Sequence, residues 1–311
     1  MEIYRTTRDI KEKRPSALAL GFFDGLHLGH TTLLKKCVEF ARERELSADV
    51  FTFRDHPANV LSGEMQVPRI ITESEKLLGL SALGVDRVFD FDFADNFHTM
   101  PPEEFAQNLL ADAFSANAVF CGFNFHFGAD AAGTPAMLKE LGKTCGFDTH
   151  VIEPVCVGEH LVSSSLIREF VSVGDVVSAS RLLGRDYSFG GKVQMGRRFG
   201  RVIGFPTANI VPDKSLTLPL NGVYVTETRV DGVLYPSISN VGVRPTINHL
   251  GSVNVETHLL DFSDDIYGSY ITVFFKKLIR IERHFSKEEA LKRQISLDTE
   301  AARQFFAANL Q

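Results

Sequence analysis

The chain has 311 residues, more than one hydrophobic core ordinarily organises, so two domains are expected. With 44% hydrophobic and 23% charged residues it has the composition of an ordinary soluble protein, which excludes extended disorder, and no run of about 18 apolar residues marks a membrane span. A net charge of −6 argues against broad contact with nucleic acid, and the four cysteines form no CxxC pair, which excludes a disulfide framework and a zinc knuckle.

The chain opens on MEIYRTTRDIKEKRP, which is charged where a secretion signal needs an apolar core, so a cytoplasmic address is expected. From there to about Leu183, short apolar runs alternate with longer segments of helical period, the pattern of a parallel sheet with crossover helices. Strands are predicted over residues 17–20, 50–53, 87–91, 118–121 and 149–152. The clearest helix is predicted over 31–44, where Leu33, Leu34, Cys37, Val38 and Ala41 recur at three-to-four spacing behind Thr31 or Thr32 as N-cap. Beyond Gly184 the texture changes to glycine-punctuated runs of β-branched and aromatic residues at 188–194, 223–230, 233–239, 253–260 and 270–281, which predict an antiparallel barrel or sandwich. A closing helix is expected over 297–310, with Ser286 and Glu289 as a capping box. The fold class is therefore α/β plus all-β, with domains over 1–184 and 185–311 and the boundary between Leu183 and Tyr187.

Residues 21–30, GFFDGLHLGH, follow a predicted strand and precede the helix. A helix N-terminus offers unpaired N–H groups and positive potential to an anion, and Gly25 and Gly29 allow the backbone close to a ligand. Spaced as HxGH, His27 and His30 both face the phosphate as negative charge builds on a pentacoordinate phosphorus. Exposed turn histidines are the plain alternative, which the strand-to-helix setting disfavours.

These residues resemble the HxGH nucleotidyltransferase superfamily, and the full GFFDGLHLGH resembles the bacterial bifunctional riboflavin kinase/FAD synthetase family. PRIITESEKL (68–77), GFNFHFG (122–128), SSSLIREFVSVGDV (163–176) and LLGRDY (182–187) follow in that family's order. The resemblance implies a Rossmann-like domain that transfers an adenylyl group from ATP to FMN. It implies catalytic roles for His27, His30 and Arg168, and ATP or flavin contacts from Gly21, Phe23, Asp24, Gly29, Asn124, Ser164 and Ser165. The serines are expected to cap a short helix, and Arg168 to clamp the departing pyrophosphate. Three positions depart from the family pattern: Phe22 stands where many members have Asn, Asn124 where Asp is frequent, and Ser165 where Thr is usual.

A second constellation lies between residues 190 and 212, where Lys192, Arg197, Arg198 and Arg201 occur with five glycines (190, 191, 196, 200 and 204) and no acidic residue. Such a flexible cationic segment fits phosphate. Within GFPTAN, an extended chain points Thr207 and Asn209 to one side and Ala208 to the other, and two hard oxygens of this kind suit Mg²⁺. In the strand over 253–260, Asn254, Glu256 and His258 share a polar face that is either solvent or active site.

VETHLLDF places Glu256 at the position of the riboflavin kinase family's catalytic glutamate, and NGVYV (221–225), SNVGVRPTI (239–247) and DIYG (265–268) resemble the same family. The resemblance implies a β-barrel kinase with closing helices that phosphorylates riboflavin to FMN. Thr207 and Asn209 would hold Mg²⁺, and Lys192, Gly200, Arg201 and Arg244 would contact ATP or flavin. The implied substrates are ATP, riboflavin and FMN, with no nucleic-acid or membrane partner. Three rivals stand beside this reading: another HxGH adenylyltransferase with an unrelated barrel, an RNA-binding protein, and a flavin sensor without turnover. GRVIGFPTANI, the acidic charge and the intact set His27, His30, Thr207, Asn209 and Glu256 respectively weigh against them.

Overall fold

The computed structural model describes residues 1–93, 97, 99–195, 204–243 and 253–309. Parallel strands buried on both faces must read as nearly continuous apolar runs, and SALAL, SADVFTF and RVFDF do so. They form part of a six-stranded parallel sheet in the first unit: β1 (Glu2–Tyr4), β2 (Ser16–Leu20), β3 (Ser47–Phe53), β4 (Arg87–Phe91), β5 (Ala116–Gly122) and β6 (Asp148–Ile152), in the order β1-β4-β3-β2-β5-β6. All five strands expected from the sequence are present. β1, which was not expected, has three residues and an exposed to half-buried pattern, too short to show a period.

Helices α1 (Leu28–Glu43), α2 (Pro57–Ser62), α3 (Glu73–Ala82), α4 (Pro102–Glu104) and α5 (Pro135–Cys145) connect the strands, and α4 runs on into a π-helical segment, Phe105–Ala113. A phenylalanine-rich cluster that includes Phe51, Phe89, Phe91 and Phe114 fills one side of the sheet, with Phe89 and Phe114 stacked at 4.1 Å. Strand order reverses direction between β2 and β5, and the crevice at the carboxyl ends of two such strands is where open α/β sheets hold ligands. A small hairpin, β7 (Cys156–Val157) with β8 (His160–Leu161), follows the sheet.

Near the opposite ends of the strands, Asp49 and Arg87 are both fully buried and paired through two guanidinium nitrogens, with Arg87 Nε 3.0 Å from Oδ1 and an Nη 2.6 Å from Oδ2. Removing one partner leaves the other charge buried without compensation. Asp49→Ala is therefore expected to lower the unfolding free energy of this unit by about 3–5 kcal/mol in a denaturant titration.

The contacts of the chain divide between Met1–Ser164 and Ser165–Gln311. Helices α6 (Ser164–Ser172, from its second residue) and α7 (Val176–Leu183) thus group with the second unit. The reason lies in α7, whose buried Val176, Ala179, Leu182 and Leu183 pack it on β9 (Tyr187–Lys192) and β14 (Tyr270–Ile281). Gly184, beside the boundary expected from the sequence, is the C-cap of α7 at φ 72°.

The remaining strands are β10 (Ala208–Ile210), β11 (Gly222–Val230), β12 (Val233–Val243) and β13 (Val253–Leu259), and the antiparallel order is β10-β13-β12-β11-β14-β9. This sheet curls into a half-barrel, and an isolated bridge reaches from just beyond β9 to its other edge, the Gln194 N–H donating to the Asn209 carbonyl at 2.8 Å. On one face, the fully buried hydroxyls of Thr228, Ser237, Thr226, Ser239 and Thr257 form a chain of contacts of 2.8 Å that ties β11, β12 and β13. On the other, Val225 and Ile238 pack against Ala302 of α8 (Glu288–Ala308). That helix starts earlier than expected, and the predicted Ser286/Glu289 capping box is not formed, because Lys287 occupies the N-cap without a side-chain bond. Glu288 and Glu289 in its first turn complement the helix dipole instead.

Candidate functional site

The first unit builds its site in the turn after β2. Phe23 (φ 55°), Gly25 (φ 82°) and Leu26 (φ 42°) all adopt left-handed backbone, a conformation that side chains resist and that must be held by surrounding contacts. Asp24 supplies the main hold: its buried carboxylate accepts the Ile70 N–H at 2.9 Å and 3.0 Å, and that of Ile71 at 3.4 Å. The Ser164 hydroxyl donates to the Asp24 carbonyl at 2.9 Å. Phe23 is completely buried, with its ring under Gly21 and edge-on to His30 at 5.3 Å. The side chains of Phe23, Asp24 and Ser164 thus help to build the turn, Ser164 from the start of α6.

The N-cap of α1 is His27 and not Thr31 or Thr32, whose hydroxyls donate back to the Leu28 carbonyl at 3.1 Å and 2.8 Å. The His30 N–H donates to His27 Nδ1 at 3.2 Å, and a nitrogen that accepts carries no proton. The neutral His27 ring therefore bears its proton on Nε2, as a donor. The two imidazoles stack at 3.6 Å, 15° from coplanar. Gly29 leaves room for this arrangement, since a Cβ there would lie 3.2 Å from His27 Cε1, a tight contact.

Asn124, exposed in the turn after β5, flanks the crevice between β2 and β5, and its carbonyl is 3.0 Å from His126 Nδ1. Phe22, one of the three departures from the family pattern, packs edge-on to His56 at 5.1 Å, and its carbonyl accepts the Thr52 hydroxyl at 3.1 Å. Beneath that contact lies Lys76, which sequence reasoning did not single out. It is buried, donates to the Phe53 carbonyl at 3.1 Å, and has its ammonium pushed down in pKa by burial, which Asp90 at 3.6 Å opposes. Exposed Ser165 and half-buried Arg168 lie on the part of α6 that belongs to the second unit, so from their motif the first unit contains Ser163 and Ser164 alone.

The second unit places Thr207 at the start of β10, and the antiparallel register sets Asn209 opposite Glu256 of β13. Ala208 is buried on the opposite side, as the alternation requires. Buried Asn254, two residues before Glu256, directs one Nδ2 to both Asn209 Oδ1 and Glu256 Oε1, each at 3.2 Å. His258 Nδ1 is 2.8 Å from the Pro206 carbonyl, which can only accept, so Nδ1 carries the proton. Burial holds the His258 pKa below the usual histidine value, partly offset by that hydrogen bond.

A pocket of about 230 Å³ adjoins Thr207 and Asn209 and is lined by residues that also include Pro206, Phe262, Asp265 and Tyr267. The last two belong to DIYG, where the Asp265 carboxylate accepts the Tyr267 N–H at 3.0 Å. Lys192, at the end of β9, is exposed, with its Cε 3.9 Å from where a Cβ on Gly268 would sit. Gly200, Arg201 and Arg244, expected to contact ATP or flavin, lie outside the described residues, as do Arg197 and Arg198. Among the described residues no three His, Cys, Asp or Glu side chains cluster to hold a metal. The hydroxyl, amide and carboxylate oxygens of Thr207, Asn209 and Glu256 instead fit Mg²⁺, which retains waters and takes few protein ligands.

Comparison with known proteins matches residues 9–166 to the FAD synthetase family and residues 183–306 to the riboflavin kinase family. The bifunctional riboflavin kinase/FMN adenylyltransferase of Pseudomonas fluorescens is 33% identical over 304 residues, covering 97% of each chain. That of Escherichia coli K12 is 35% identical over 290 residues, covering 93% of this chain and 92% of its own. The crystal structure of a protein named as a macrolide-efflux protein, from Streptococcus pneumoniae, superposes with a TM-score of 0.89 at 29% identity, covering 97% of this chain and 98% of that one. With both families matched in sequence order and relatives aligned nearly end to end, the chain belongs to the bifunctional riboflavin kinase/FMN adenylyltransferase family.

Proposed function

We propose that the two activities of this enzyme, riboflavin kinase and FMN adenylyltransferase, are divided between residues 185–311 and 1–184, with the chemistry placed on the residues described above. Both reactions consume ATP. In the kinase, Glu256 accepts the proton of the riboflavin 5′-hydroxyl as that oxygen attacks the γ-phosphorus of ATP, and ADP leaves. Thr207 and Asn209 would hold Mg²⁺, which neutralises charge on the phosphates. Lys192, Gly200, Arg201 and Arg244 contribute to phosphate and flavin binding.

In the adenylyltransferase, a phosphate oxygen of FMN attacks the α-phosphorus of ATP, the bond to the β-phosphate breaks, and pyrophosphate leaves. The Nε2–H of His27, His30 and the amino end of α1 stabilise the charge on the reacting phosphate, and Arg168 neutralises the departing pyrophosphate. Gly21 and Gly29 admit the nucleotide, Phe23, Asp24 and Ser164 hold the turn that carries the histidines, and Asn124 and Ser165 complete the ligand contacts. A cytoplasmic enzyme acting on small molecules, without nucleic acid, is the corresponding cellular reading.

The observation that carries this reading is the pairing of Asn209, which lines an open pocket, with Glu256 across two strands, which sets a hard oxygen beside a carboxylate. Efflux is a property named for the Streptococcus protein and is not carried over to this chain. In the described residues here, no helix is long and apolar enough to cross a membrane, and the nucleotide-handling arrangement favours the flavin reading. Incubation with riboflavin, ATP and Mg²⁺, followed by chromatography, should show FMN rising first and FAD after it. A trace with neither product would refute the proposal.

A further inference from the structure

Asn254 belongs to none of the motifs that carry the family resemblance, yet it is the side chain that joins the two functional groups of the kinase site. It is 4% exposed, on the same face of β13 as Glu256. A carboxylate only accepts hydrogen bonds, so the atom of Asn254 that faces Glu256 Oε1 at 3.2 Å must belong to its NH₂ group. The same NH₂ lies 3.2 Å from Asn209, which requires that Asn209 turn its carbonyl oxygen, and not its own NH₂, to this side. Asn209 Nδ2 is correspondingly directed away, 3.3 Å from the Thr207 carbonyl. One buried amide thus fixes which end of the Asn209 side chain faces the carboxylate.

We propose that Asn254 is a positioning residue of the kinase: it sets the amide orientation of Asn209, so that Oδ1 is available to a phosphate-bound divalent cation, and aligns the Glu256 carboxylate with it. The inference rests on the kinase roles given to Asn209 and Glu256. Residues that orient a metal ligand from behind are worth about 10–100-fold in activity or metal affinity when lost.

Asn254→Asp keeps the shape but replaces the donor with an acceptor, Asn254→Leu removes the donor, and Asn254→Ser keeps a single hydroxyl donor. Asn254→Asp and Asn254→Leu should lower the kinase kcat by about 10–100-fold, with the riboflavin KM unchanged and a smaller loss in Asn254→Ser. Calorimetric titration with Mg²⁺ and ADP should show a parallel loss of affinity, independent of turnover. FAD formation from supplied FMN should be unaltered, a thermal melting curve matching the parent's certifies that the second unit is folded, and the Asp and Ser variants keep the test open should the Leu variant not fold. Turnover and Mg²⁺·ADP affinity within twofold of the parent in Asn254→Asp would overturn the proposal, as would a rise in riboflavin KM at constant kcat. Glu256→Gln measured alongside separates the two levels: its inactivity with an unaffected Asn254→Asp rejects only the positioning role, whereas full activity in Glu256→Gln rejects the kinase assignment itself.

Discussion

Glu256→Gln is expected to lower FMN formation from riboflavin by about 10²–10⁴-fold, the range associated with loss of a general base. At 1.36 kcal/mol per tenfold this corresponds to about 3–5 kcal/mol of transition-state stabilisation. Glutamine retains the size of the side chain and one oxygen for the Asn254 NH₂, so the strand pairing of β10 with β13 should persist. What it lacks is the capacity to take the proton of the 5′-hydroxyl. The loss should therefore appear in kcat, with little change in riboflavin KM, and FAD formation from supplied FMN should continue at the parent rate. Steady-state assays of the two half-reactions read both outcomes, and an unchanged kinase kcat would remove Glu256 from its role.

The second large effect is expected from His30→Ala, which should block FAD formation while sparing the kinase. Loss of one preorganised donor to a developing charge costs about 10²–10³-fold in turnover. His30 is a cleaner probe than His27 because the helix cap survives its removal: the bond to His27 Nδ1 comes from the backbone N–H of residue 30, which alanine retains. His27→Ala would remove a donor and the N-cap together, adding about 1 kcal/mol of destabilisation to the catalytic loss. An equal fall in both activities of His30→Ala would contradict separate sites for the two reactions.

Legibility in the sequence followed the length scale of the interactions. Strands buried on both faces announce themselves as apolar runs, which is why β2 to β6 were all anticipated, whereas β1 and β10, three residues each, carry no period. Thr207, Asn209 and Glu256 could be assigned to faces from alternation alone, but the register that sets Asn209 against Glu256 depends on pairing between distant segments. The cap of α1 was misplaced because threonine is a common N-cap and histidine is not, and only the folded turn shows the threonine hydroxyls bonded to Leu28. Asp24 and Phe23 lie in a motif that resembles a ligand-binding loop, and their burial against Ile70 and His30 is a tertiary fact. Lys76 had no signal of its own, since a single polar residue on a helix ordinarily faces water, and Asn254 was legible only as part of a polar face that could equally have been solvent-exposed.

The most direct test mixes the two variants. Glu256→Gln and His30→Ala, each incubated alone with riboflavin, ATP and Mg²⁺, should yield little FAD, the second accumulating FMN. Combined in one vessel they should restore FAD, because FMN made by one chain is adenylylated by the other. Absence of FAD from the mixture, with both proteins folded, would contradict an enzyme that holds a separate active site for each of the two reactions.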